Sequence, residues 1–226
     1  MTFDAELASR IDHTLLKPDA QGNMIDQLCD EAVQYGFKSV CVQPIWIAHA
    51  KKRIGGKGPL VATVIGFPLG ANLPLLKVIE TQMALEEGAD EIDMVLQISK
   101  LKSGGHFAVK EEIAQVVEAA RQRAVKVIFE NGLLSMEEKI AACRLAEEAG
   151  ARFVKTATGF GPSGATQEDV ALMRKHVGPD IGVKAAGGIR DWQTAQAMVL
   201  CGANRLGTSA SVAIVTSAAA KSQKAY

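Results

Sequence analysis

The chain has 226 residues, 48% hydrophobic and 22% charged, enough apolar side chain for one large core and too ordered a composition for a disordered segment. Lys+Arg and Asp+Glu each number 25, so the formal net charge is zero and no global field draws the chain to nucleic acid or an anionic membrane. No run approaches the roughly 18 apolar residues of a membrane span, and the opening MTFDAELASRIDH has neither a basic start nor an apolar signal core, so a soluble, cytoplasmic protein is expected.

After a short amphipathic opening, residues 11–16 (IDHTLL) read as a brief strand closed by Lys17-Pro18. Residues 26–35 have helical periodicity and stop at Gly36; residues 38–42 (KSVCV) are a buried strand ended by Pro44, and a helix follows over 44–53. The β-branched run 60–65 is broken by Gly66-Phe67-Pro68, residues 75–87 are helical before Gly88, and residues 91–96 (EIDMVL) form the next strand. A long helix over 109–123 leads to a strand over 125–130 (VKVIFE), then to a helix over 135–148 in which Ser135 and Glu138 stand at capping-box spacing. Strands over 152–156, 181–185 and 203–206 are followed by helices over 166–176, 191–200 and 211–221, and residues 216–226 close the chain in a polar tail.

Strand and helix alternate without a linker or low-complexity insert, so residues 1–226 are expected to form one domain, a (β/α)8 TIM barrel somewhat shorter than the ~250 residues typical of that class. A doubly wound open sheet is the competing architecture. Cys29, Cys41, Cys143 and Cys201 show no C-x-x-C spacing, and a chain of this size does not need disulfides, so reduced thiols are expected. His13, His49, His106 and His176 form no ligand motif, which disfavours a metal mechanism.

Charged residues inside apolar strands are the informative feature. Period-two alternation sends Val125, Val127 and Phe129 to the helices and Lys126, Ile128 and Glu130 inward; the same logic turns Glu91 and Asp93 into the barrel. Lys155, in FVKTATGFGPSG, and Lys184, 29 residues on in GVKAAGG, fall on interior faces at strand ends. Asp12, Asp93, Lys126, Glu130, Lys155 and Lys184 therefore converge near the C-terminal mouth where barrel enzymes keep their chemistry. A Lys126–Glu130 pair that neutralises itself is the bland reading of part of this set. Buried charge costs several kcal/mol even when paired, which argues for function in the set as a whole.

An amine that attacks carbonyls must be neutral, and a free lysine with pKa near ~10.4 is not; burial and a second nearby ammonium both depress it. Lys155 or Lys184 is thus the candidate nucleophile. Glycine-rich residues 159–164, 186–188 and 207–211 follow late strands, where backbone N–H groups bind phosphate in many barrels, and Thr158, Ser209 and Ser211 add hydroxyls.

With those residues assembled, the chain resembles the deoxyribose-phosphate aldolases, a family of Schiff-base barrel enzymes. The segments that carry the resemblance are IDHTLLKP, VCVQP, IGFPLGA, EIDMV, FVKTATGFGPSGAT, GVKAAGGIR and RLGTSASVAIV, spread over nearly the whole chain. The resemblance implies a lyase that reversibly cleaves 2-deoxy-D-ribose 5-phosphate to D-glyceraldehyde 3-phosphate and acetaldehyde, without metal or organic cofactor, in deoxyribonucleotide catabolism. It assigns the imine to Lys155, depression of the nucleophile's pKa to Lys184 and proton relay to Asp93. It places substrate contacts at Asp12, Thr14, Cys41, Lys126, Thr158, Gly159, Gly187, Gly188, Gly207 and Ser209, matches Tyr226 to a tail tyrosine that helps protonate the enamine, and suggests a homodimer.

Departures from the pattern are equally specific. Many relatives read TSSG before the last helix where this chain has Thr208-Ser209-Ala210-Ser211, losing a phosphate-facing hydroxyl and a glycine. Ala157, Asn131 and Gln97 also depart from common residues, and weakened dependence on the phosphate is the consequence expected. Two other readings stay open at this stage: a phosphate-binding barrel isomerase or synthase driven by carboxylates, and a non-catalytic barrel that binds sugar phosphates.

Overall fold

Eight parallel strands, β1 (Ile11–Leu15), β2 (Ser39–Val42), β3 (Leu60–Ile65), β4 (Glu91–Val95), β5 (Ala124–Ile128), β6 (Phe153–Lys155), β7 (Gly182–Ala186) and β8 (Arg205–Thr208), pair in chain order and close when β8 pairs with β1. The computed structural model describes residues 3–222 and is a single-domain (β/α)8 TIM barrel, as the alternation of elements predicts. Helix α1 (Ala5–Ala8) precedes the barrel; α2 (Gly22–Tyr35), α3 (Ile47–Ile54), α4 (Pro74–Glu86), α5 (Ile98–Lys102), α6 (His106–Ala119), α7 (Met136–Glu148), α8 (Gln167–Lys175), α9 (Trp192–Leu200) and α10 (Ser211–Ser222) surround it. Residues 223–226, including Tyr226, lie outside the described residues.

Two cores result from the alternation of strand side chains. Ile11, Val40, Val61, Ile92, Val125, Val127, Val154, Val183 and Leu206 point outward and pack with the buried faces of the helices. Inward-facing residues stack in layers taken from even and odd strands in turn. The strand register places Ser39, Glu91, Phe153 and Arg205 in the floor, Asp12, Ala62, Lys126 and Lys184 in the middle, and Cys41, Asp93, Lys155 and Gly207 on top. Gly182 is a packing requirement of this arrangement, since a Cβ there would come within 2.1 Å of the Phe153 ring.

The Ser135–Glu138 capping box forms as predicted, and Gly36 ends α2 in the left-handed region with φ 64°. Other boundaries differ for identifiable reasons. Helix α6 stops at Ala119, short of the expected 123, because the chain must reverse to start β5 beside β4; Arg121 and Gln122 make that turn with φ 49° and 70°. Residues 98–102, which the sequence pattern assigns to no element, form α5. Strand β5 ends at Ile128 instead of reaching Glu130, whose φ of 57° turns the chain out of the sheet.

Candidate active site

Strand β4 supplies the hub. Asp93 is fully buried, and its two oxygens meet three ammonium groups: Lys126 Nζ lies 2.7 Å from Oδ1, while Lys184 Nζ at 2.7 Å and Lys155 Nζ at 2.9 Å share Oδ2. Burial opposes the charge on Asp93, but Lys126, Lys155 and Lys184 together hold its carboxyl well below the usual range. Asp12, from β1, is held down by the same balance, with burial outweighed by Lys184, Arg205 and Lys126. Its Oδ2 lies 2.5 Å from Lys184 Nζ, and its Oδ1 accepts from Arg205.

The three lysines are not equivalent. Lys126 is sandwiched between Glu91 Oε2 at 2.7 Å and Asp93, and although burial penalises its ammonium, Asp93 and Glu91 leave its pKa raised. Lys184 suffers the same penalty, which Asp12 and Asp93 likewise overcome to leave it raised. Lys155 alone is lowered: burial is the main cause, Lys184 acts in the same direction, and Asp93 opposes them. Counting charges gives the same answer. Lys126, Lys155, Lys184 and Arg205 face only Asp12, Glu91 and Asp93 in these layers, so one neutral lysine balances the cluster, and Lys155 is the member whose only salt-bridge partner is a carboxylate oxygen already shared.

Lys155 is also the member that opens outward. A cavity of about 370 Å³ lies above it, lined among others by Thr14, Thr158, Gly159, Gly187, Gly188 and Ser209, with Gly207 beside them. Gly207 leaves the path for Lys184, since a Cβ there would sit 3.1 Å from Lys184 Cε. Gly187, at φ 92°, comes against Gly164, where a Cβ would lie 2.3 Å from the Gly187 carbonyl oxygen, and this close approach locks the β6–α8 and β7–α9 loops together. Asp12, Cys41 and Lys126 are closed off beneath the cavity floor, and burial pushes the Cys41 thiol up.

The expected Lys126–Glu130 pair does not form. With β5 ending at Ile128, Glu130 swings to the loop after β6, where its Oε2 accepts from the Thr158 hydroxyl and, at 3.3 Å, from the Thr158 amide. Glu130 thereby orients a residue of the cavity wall. The Ser211 hydroxyl, expected to face an anion, instead lies 2.8 Å from His13 Nδ1 and donates toward the Thr208 carbonyl at 3.1 Å, because Ser211 opens α10 on the side facing β1. Three contributors were not singled out from the sequence: Arg205 in the floor, and Lys17 and Arg190, two exposed cations on the cavity rim. Both rim cations lie inside quoted segments, IDHTLLKP and GVKAAGGIR, where a charge at a loop start gives no signal of its own.

Residues 7–209 match the model of the DeoC/LacD family of aldolases. Among curated relatives, the deoxyribose-phosphate aldolase of Geobacillus sp. (strain WCH70) is 56% identical over 221 residues, covering 97% of this chain and 99% of the relative, and that of Brevibacillus brevis is 55% identical over 208 residues, covering 92% and 94%. Among solved structures, a putative deoxyribose-phosphate aldolase from Coccidioides immitis superposes with TM-score 0.93 at 41% identity, covering 95% of this chain and 86% of that one. The tetrameric deoxyribose phosphate aldolase from Aeropyrum pernix gives 0.89 at 35%, covering 96% and 92%. A lysine-lined barrel mouth and this likeness along the whole chain have one conclusion: the chain belongs to the DeoC/LacD aldolase family, among its deoxyribose-phosphate aldolases of class I.

Proposed function

We propose that Lys155 is the Schiff-base nucleophile in reversible cleavage of 2-deoxy-D-ribose 5-phosphate. The observation that carries the assignment is its position: of the three lysines around Asp93 it is the one that lines the open cavity, and the one whose pKa is lowered. Its neutral amine adds to the C1 aldehyde and loses water to give the imine. The proton on the C3 hydroxyl then leaves, the C2–C3 bond breaks, and its electron pair flows into the iminium as D-glyceraldehyde 3-phosphate departs. Protonation of the resulting enamine at C2 and hydrolysis release acetaldehyde and restore the amine.

Asp93 is the proton relay in this reading, acting through an ordered water, with Lys184 holding it in place at 2.7 Å. Lys184 has the second role of keeping positive charge next to Lys155 so that the amine stays free. Thr14 and Thr158 face the sugar hydroxyls; Gly187, Gly188 and Ser209 offer backbone and hydroxyl donors to the phosphate, and Lys17 and Arg190 attract it electrostatically. With Ala210 lacking a hydroxyl and Ser211 committed to His13 and Thr208, phosphate recognition is weaker than a serine at position 210 would make it.

The decisive experiment is intact-mass analysis after acetaldehyde and borohydride, with peptide mapping. A stoichiometric two-carbon adduct on Lys155, absent from Lys155→Ala, is expected; an unmodified Lys155 would overturn the assignment in favour of carboxylate-driven chemistry.

The same reading includes a homodimer in the cytoplasm. The free thiols of Cys29, Cys41, Cys143 and Cys201 suit a reducing compartment. Leu76, Ile79 and Met83 form an exposed apolar stripe along α4, beside exposed Ile45, and a two-fold axis would set that stripe against itself. Light scattering should give twice the chain mass, and Met83→Lys should halve it; a monomeric wild type sinks this part.

A further inference from the structure

The floor of the barrel holds a charge pair that the reaction never touches. Arg205, at the start of β8, donates from Nε to Asp12 Oδ1 at 2.9 Å and spans to both oxygens of Glu91, at 2.8 and 3.2 Å, with its guanidinium 5.7 Å from the centre of the Phe153 ring. Glu91, at the start of β4, is shared between Arg205 and Lys126. Floor and catalytic layer are therefore joined by two arms. One runs from Arg205 through Asp12 to Lys184, the other from Glu91 through Lys126 to Asp93, and both end at the carboxylate that Lys155 uses.

Resting on the Schiff-base reading above, we propose that Arg205 and Glu91 are positioning residues of opposite sign that set how much of Lys155 is free amine. Removing the guanidinium leaves Asp12 to Lys184 at 2.5 Å and the more distant Lys126 at 4.0 Å, drawing Lys184 toward Asp12 and away from Asp93; Asp93 then pairs more fully with Lys155, which holds its proton longer. Removing the Glu91 charge does the reverse. Lys126 loses its second carboxylate, leans harder on Asp93 Oδ1, and leaves Lys155 with a weaker counter-ion and an earlier loss of its proton. The other titratable groups around Lys155 are fixed points in this scheme: Asp93 on β4, Lys184 on β7, Cys41 on β2, Asp12 on β1, Lys126 on β5, and Glu130, which is engaged with Thr158.

A structural role alone would lower the yield of folded enzyme at every pH and leave the protonation midpoint where it is. The opposed signs are the distinguishing feature.

The experiment measures the rate of reductive trapping of acetaldehyde on Lys155 by cyanoborohydride as a function of pH, read by intact mass, in wild type, Arg205→Gln, Arg205→Lys and Glu91→Gln. The amine limb of the profile is expected to move up by roughly half to one pH unit in Arg205→Gln and down by a similar amount in Glu91→Gln. Arg205→Lys, which keeps the charge, should stay within a few tenths of wild type. Midpoints that coincide with wild type, or that move in the same direction in both charge-removing variants, overturn the proposal. Should Arg205→Gln not fold, the near-isosteric Glu91→Gln decides alone, by a lowered midpoint or an unmoved one. Absence of any wild-type adduct would instead overturn the Schiff-base reading, so the two failures are distinct.

Discussion

Among the described residues, two buried lysine–carboxylate groups meet β4, and only one of them opens on a cavity. In the helical layer, Lys77 on α4 lies 2.7 Å from Glu112 Oε1 on α6 and donates to the Val95 carbonyl at 2.8 Å, with both side chains out of solvent. Burial lowers Lys77 and raises Glu112, each against the opposing pull of its partner. In the barrel, burial lowers Lys155 in the same way. A depressed lysine is thus not by itself a nucleophile. Lys77 has a carboxylate of its own and no cavity; Lys155 shares one oxygen with a competing ammonium and opens on about 370 Å³ of space. An excess of cations supplies the free amine, and the opening supplies the substrate.

The largest break in that comparison comes from removing the hub. Asp93→Asn leaves Lys126, Lys155 and Lys184 around a neutral amide, which keeps the shape of the site and deletes both the counter-ion and the proposed proton relay. Cleavage of deoxyribose 5-phosphate should fall by roughly 10²–10⁴-fold, the usual range for a lost acid–base group. Because the variant also weakens the counter-ion of Lys155, the amine should form at lower pH, so imine trapping in acid is preserved or faster while turnover collapses. Trapping and turnover that fall together would show that Asp93 acts only by holding the structure.

The Lys77–Glu112 pair should answer with stability and not with chemistry. Lys77→Met strands a buried carboxylate and should cost about 3–5 kcal/mol, a fall in Tm of roughly 10 °C for a chain of this size, whereas Lys77→Met with Glu112→Leu should recover most of it. In both variants the pH at which Lys155 is half trapped should match wild type. A displaced midpoint would mean that the helical pair and the barrel cluster are one electrostatic system, and the contrast drawn between them would be wrong.

The two groups were also unequally legible. Lys155, Lys184, Asp93 and Lys126 stand out because each interrupts an apolar run at a position whose alternation points inward, and the register brings them together as that alternation demands. Arg205 gives no such signal. It opens a four-residue strand after Asn204, where a charge ordinarily meets water, and only closure of β8 on β1 carries it under Asp12. Glu91 was placed inside by alternation, yet its partners come from β5 and β8, and no local pattern announces them. Lys77 is the hardest case: one lysine in an amphipathic helix reads as solvated surface until α6 is packed against it. Glu130 failed for a different reason, because alternation was extended two residues past the point where the strand ends.

The smallest effect concerns the open end that separates Lys155 from Lys77. Ala210 contributes no hydroxyl at the loop before α10, its amide donates to Thr208 Oγ1 at 3.0 Å, and the Ser211 hydroxyl is turned to His13. Lys17 and Arg190 still draw an anion to the rim, but charge on exposed groups is screened and directs approach more than it fixes a pose. A new hydroxyl at position 210 would add a hydrogen bond to a charged group. In Ala210→Ser with Ser211→Gly, the kcat/KM ratio for phosphorylated over unphosphorylated deoxyribose should therefore rise by roughly tenfold, with the change in the phosphorylated substrate's KM and little in kcat for the unphosphorylated sugar. An unchanged ratio would place phosphate selection on the Gly187–Gly188 backbone and the rim cations instead, making the mouth of the barrel indifferent to the hydroxyls of the last loop.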